Sequence, residues 1–126
     1  MLAKLFCAMM AVETQCNDLA INTDENAHGI IQTRQLALDE VNKKYGTTYK
    51  LEDMKKRYMQ VHVFLMYAKI HGENPFDVDE KTAERIARKW NGGPKGMEKE
   101  STKEYWKKVQ VEMEKQDALS KVRKGS

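Results

Sequence analysis

A lone carboxylate at the end of an apolar helical stripe is where chemistry could reside. Leu2, Leu5 or Phe6, and Met9 recur at steps of three and four, and Glu13 continues that stripe. An acid in this phase is either half-buried or on the rim of a cleft. Burial penalises the ionised form and raises the carboxyl pKa, as a general acid near neutral pH requires. The alternative is a helix-end glutamate in solvent, and with 19 acidic residues in the chain, spacing alone does not choose between them. Other chemistries find less support. His28, His62 and His71 show no HxxxH pairing and have no nearby cysteine, so no metal site and no cofactor are expected. Cys7 and Cys16 lack CxxC spacing. On one helix they would stand roughly 13 Å apart, beyond disulfide reach, which reads as two free thiols.

The elements that must position Glu13 are helical. Residues 2–12 form the first helix, and the polar run 17–28 reads as a loop. Thr33 can cap a helix carrying Leu38, Val41 and Tyr45 on one face, with Gly46 as its stop. Residues 54–68 carry the most apolar stripe, through Met54, Tyr58, Val61, Leu65 and Ala68. Asp77 and Glu80 have capping-box spacing ahead of Ala83, Ile86, Ala87 and Trp90, and Ser101 and Glu104 repeat it ahead of Tyr105, Val109 and Met113. Residues 91–96 must turn, and 29–32 and 47–49 are the only candidates for short extended pieces. Met9, Met10, Met54, Met59 and Met66 read as core filler.

Composition sets the outer bounds. The 126 residues fit one domain, with 40% hydrophobic and 33% charged residues. The net charge of +3 lies entirely from residue 94 onward. That is too little for a dedicated nucleic-acid binder, although it favours an anionic surface or polymer. The longest apolar run, 5–12, is far short of the about 20 residues a membrane span needs. No cleavage site follows it, so neither membrane insertion nor an export signal is expected.

Ala11-Val12-Glu13-Thr14, then Asn17, Ala20 and Gly29-Ile30-Ile31-Gln32, resembles the soluble lytic transglycosylase and goose-type lysozyme family. In that family a helix ends in Glu-Ser or Glu-Thr, an Asn and an Ala follow in a loop, and a Gly-apolar-apolar-Gln element comes next. Trp90-Asn91-Gly92-Gly93-Pro94 resembles its aromatic-Asn-x-Gly block, and Thr102 through Tyr105 to Val109 its closing block. The version here looks closest to small phage-type and gut-bacterial members. Gln15 and Cys16 depart from the family, which usually continues Glu-Ser-Gly-Gly.

The resemblance implies a lysozyme-like, mainly α fold, α+β at most by short extended pieces. About six helices would fill a domain over residues 1–113, followed by a charged tail, 114–126, that frays. It implies that Glu13 protonates the glycosidic oxygen between N-acetylmuramyl and N-acetylglucosaminyl sugars of peptidoglycan and then acts as base. Thr14, Gln32, Asn91 and Tyr105 would bind or orient the substrate or the acid. The other readings stay open: Gln32 as a turn residue, Asn91 as a helix cap, Tyr105 packed on Val109. Trp90 and Trp106 could stack on sugars or sit in the core. Asp18, Asp24 and Glu25 lie where hydrolytic relatives place a water, leaving hydrolysis and anhydro-product formation both open. The expected partners are glycan strands and, for a virion or secretion-machine component, its protein neighbours; a monomer is expected. The chain would be made in the cytoplasm and reach the wall at lysis or within a virion. A lysozyme-like structural module without activity is the competing function, and a basic-tailed nucleic-acid binder a third.

Overall fold

The computed structural model describes residues 1–125, with side chains through Arg123. The chain is mainly helical. Five α-helices follow in order as α1 (Leu2–Thr14), α2 (Gln35–Tyr45), α3 (Arg57–Ile70), α4 (Glu80–Gly92) and α5 (Glu100–Gly125). The sixth helix expected is represented only by short 3₁₀ segments at Leu51–Lys55 and Gly96–Glu98. Strands β1 (Ile21–Asn22) and β2 (Ala27–His28) pair antiparallel, Ile21 opposite His28. None of the described helices is long and apolar enough to cross a membrane.

The core forms where the apolar stripes meet. Leu5, Ala8 and Met9 of α1 are fully buried, as are Val63 of α3, Ala83 and Ala87 of α4, and Val109 of α5. Burying the larger of these, Leu5, Met9, Val63 and Val109, stabilises by about 1.5–3 kcal/mol each. Phe64 joins the layers, its ring 5.2 Å from Phe6 and 5.5 Å from Trp90. The rest of α3 is less buried than its apolar composition suggests, with Tyr58 left 62% exposed.

Several local expectations need correction. The extended pieces form at β1 and β2, whereas 29–32 is a turn closed by the His28–Thr33 bridge and 47–49 is irregular. Residues 47–49 are held instead by Asn42, whose side chain bonds the Tyr49 backbone and the Thr47 hydroxyl. Thr33 does not cap α2: it is buried and bonded to Gln60, and Arg34 takes the cap position. The acid that caps α4 is Asp79, which accepts from Thr82 N at 2.8 Å, in place of Asp77. Ser101 lies inside α5, which begins one residue earlier, so no box forms there. The tail expected to fray from residue 114 continues α5 to Gly125. Lys4 of α1 pairs with Asp117 at 3.1 Å, and its carbonyl accepts from Gln116 at the same distance, docking that extension onto α1. Cys7 and Cys16 are both free and exposed.

Candidate functional site

Glu13 stands in the last turn of α1, and the chain leaves it by an unusual route. Gln15 and Cys16 both adopt left-handed backbone, φ 54° and 64°, at the positions where the resemblance calls for glycines. Their amides bond back to the carbonyls of Ala11 and Met10, each at 3.1 Å, so the helix ends sharply without glycine. Thr14 secures this exit. Its hydroxyl donates to Ile30 O at 2.8 Å and accepts from Asn17 N at 3.0 Å. Thr14 is thereby tied to backbone and orients the exit from the Glu13 helix; it is not among the residues that line the groove described next.

A groove of about 360 Å³ opens beside Glu13. Gln32, Asn91 and Tyr105 line it with the acid, although they come from the turn after β2, from α4 and from α5. Gln32 arrives in a left-handed conformation, φ 58°, with its amide nitrogen bonded to Gly29 O at 2.9 Å. That turn requires Gly29: at φ 92° a Cβ there would stand 2.6 Å from Met54 O. Asn91 stands at the end of α4 beside a largely buried network, and its own carbonyl accepts from Arg34 at 3.0 Å. Arg88 donates to Thr102 Oγ1 at 2.9 Å, to Glu84 at 2.7 Å and to Met97 O at 3.0 Å. Thr102 Oγ1 in turn lies 2.5 and 2.8 Å from the carbonyls of Gly96 and Lys99. This arrangement pins the turn after α4 to the start of α5.

The acid is electrostatically distinct. Burial of the Glu13 carboxyl raises its pKa from 4.5 to about 7. The Tyr105 hydroxyl and the Arg34 charge pull it down by less, and the Glu25 charge adds to the rise. Burial and then the Glu13 charge push the Tyr105 phenol upward. The buried Tyr105 hydroxyl has no hydrogen-bond partner of standard geometry among the described residues. It nevertheless lies against the Glu13 carboxyl closely enough to favour the ionised form, the pairing the resemblance implies, without standard hydrogen-bond geometry.

Trp90 and Trp106 are core residues, 8% and 6% exposed. The Trp90 indole donates to Ile31 O at 2.8 Å, which holds the apolar turn leading to Gln32. Of the three loop acids, Glu25 alone lines this groove, together with Asn22. Its carboxylate approaches Arg34 at 3.3 Å, whereas Asp18 is bound by Arg57 at 3.0 Å away from the groove. Arg34 and Arg88 join the site without any mark in the sequence: Arg88 directly follows Ile86 and Ala87, so helical spacing does not place it on their face. Compared with family models, with curated proteins and with solved structures, the chain matches none.

Proposed function

We propose that the protein cleaves peptidoglycan at the N-acetylmuramyl–N-acetylglucosaminyl bond, with Glu13 as its single general acid and base. The observation that carries this reading is a desolvated glutamate, protonated up to about pH 7, in a polar groove shared with Gln32, Asn91 and Tyr105. A protonated carboxyl is what the leaving oxygen of a glycoside needs, because the alkoxide would otherwise depart unaided.

In the first step the Glu13 proton moves to the bridging oxygen as the C1–O bond breaks. The carboxylate then accepts a proton from the nucleophile that closes on C1. If that nucleophile is the muramyl 6-hydroxyl, an anhydro sugar forms and no second carboxylate is required. If it is water, a reducing end forms, and of the other two acids lining the groove, Glu25 and Glu104, the loop acid Glu25 is the candidate to orient it. Gln32 keeps its Oε1 unbonded among the described residues, free to accept from a sugar hydroxyl or N-acetyl N–H.

Zymography on purified walls tests the reading: a clearing zone for the wild type that vanishes for Glu13→Gln is the expected result. Mass spectrometry of the digest then separates anhydro-muropeptides from reducing ends. Wild-type protein that leaves walls intact would favour the inactive structural module.

A further inference from the structure

Gln32 also borders a second hollow, of about 280 Å³. Two cations from different elements stand on it, Arg34 ahead of α2 and Lys99 ahead of α5. Adjacent carbonyls hold them in place. Arg34 donates to Asn91 O at 3.0 Å and Lys99 to Gly92 O at 2.6 Å. These carbonyls end α4, where the partial negative charge of the helix terminus attracts cations. Neither cation is exhausted by its contacts, since a guanidinium carries five N–H donors and an ammonium three. Arg34 shares its charge with Glu25, at 3.3 Å. Lys99 has no carboxylate partner among the described residues.

The remaining lining decides what such cations would receive. Glu40, the hollow's one carboxylate among the described residues, is engaged by His71 at 2.6 Å. Tyr67 and Trp90 contribute only edges. They are 5% and 8% exposed and packed at 85° to one another, so neither offers a free face for a sugar ring. Leu36 adds an open apolar wall, 78% exposed. Oriented positive donors beside an apolar wall, without a stacking platform, suit an anionic substituent of the glycan better than another sugar.

We infer that this second hollow binds a carboxylate carried on the lactyl side of a muramyl sugar, with Arg34 and Lys99 as the receiving cations. This rests on the glycan-cleaving reading above and adds the feature of the strand that the protein selects. The carboxylate has two sources of the same chemistry: the bare lactyl group, or an acidic residue of a peptide attached to it.

The test is calorimetric titration of Glu13→Gln, which binds without turnover, against three probes. These are chitotetraose, a peptide-free GlcNAc–MurNAc tetrasaccharide, and the same tetrasaccharide bearing its peptides. At least one muramyl probe is expected to bind about tenfold more tightly than chitotetraose, as one added charge-assisted contact would give. Adding Lys99→Met should erase most of that preference while leaving chitotetraose unchanged, and Lys99→Arg should keep it. A gain confined to the bare tetrasaccharide identifies the lactyl carboxylate, and a gain confined to the peptide-bearing one identifies the peptide. Equal affinity for all three probes, or a preference untouched by Lys99→Met, overturns the inference alone. Binding of none of them, with folding confirmed by circular dichroism, overturns the glycan-cleaving reading and this inference with it.

Discussion

The two walls of the groove are built by opposite means. On the Glu13 wall a carboxyl loses its hydration, and three residues that are not glycine, Gln15, Cys16 and Gln32, hold left-handed backbone. Each feature opposes folding, through desolvation or through side-chain crowding near the carbonyl. On the Asn91 wall polar groups are buried but paired: Arg88, 4% exposed, meets Thr102, Glu84 and Met97, and Thr102 meets Gly96 and Lys99. One wall stores the unfavourable arrangement that the proposed catalysis would use, and the other supplies rigidity against which it is held. Substitutions should therefore have opposite signs for stability on the two walls.

The largest effect belongs to activity. Glu13→Gln should lower wall-clearing by about 10²–10⁴-fold, the contribution of a positioned general acid. Wild-type turnover should fall on the alkaline side as the carboxyl ionises through about pH 7. The same group gives a stability signature with a definite sign. Its folded pKa, about 7, lies above the unfolded value of 4.5, so the folded state holds the proton more tightly. The stability this one group contributes is fully present below pH 4.5, declines between pH 4.5 and 7, and is lost above that range. At pH 8 Glu13→Gln should be more stable than wild type by about 1–3 kcal/mol, and at pH 4 nearly equal. Urea unfolding at both pH values measures this, and a variant less stable at pH 8 contradicts the desolvated acid.

On the opposite wall Arg88→Met should destabilise by about 3 kcal/mol, because it strands Thr102 and the Met97 carbonyl without their donor. Activity should fall with it as Asn91 loses its support. A thermal midpoint unchanged by this substitution would mean that the turn after α4 is held some other way.

Tyr105→Phe separates the two roles in one side chain. Its hydroxyl is buried without a hydrogen bond of standard geometry, so removal should leave stability unchanged or raise it by about 1 kcal/mol. The rate should drop less than tenfold, since only an orienting influence on Glu13 of about 1 kcal/mol is lost. Loss of both stability and activity would point to an unrecognised partner for the hydroxyl.

What the sequence disclosed, and what it hid, follows from the range of the forces involved. Stripes such as Leu5–Met9 and Ile86–Trp90 declare themselves, because burial repeats with the helical period. Glu13 was legible by the same rule, as an acid in an apolar phase. The course of α5 past residue 114 was not, because Gln116 and Asp117 dock there onto Lys4, more than a hundred positions away. Nor could spacing choose Glu25 over Asp18 and Asp24: the hairpin that carries Glu25 to Arg34 has strands of only two residues each. Gln32 and Asn91 were named by motif alone; no local rule brings the end of α4 to the turn after β2.

The smallest effect tests the strained wall most directly. Gln15 and Cys16 are exposed, so replacing their side chains removes little packing. Their positive φ values, 54° and 64°, are conformations that glycine adopts freely and other residues adopt against steric resistance. Glycine also gains entropy in the unfolded chain, which offsets part of the relief. Gln15→Gly and Cys16→Gly should each stabilise by about 0.5–1 kcal/mol, raising the thermal midpoint by a few degrees. Activity should stay within about twofold if the exit from α1 keeps its path. A lowered midpoint would show that the left-handed exit is not a source of strain. A raised midpoint together with lost activity would show that the Gln15 or Cys16 side chain itself meets the substrate, giving these two non-glycine residues a function.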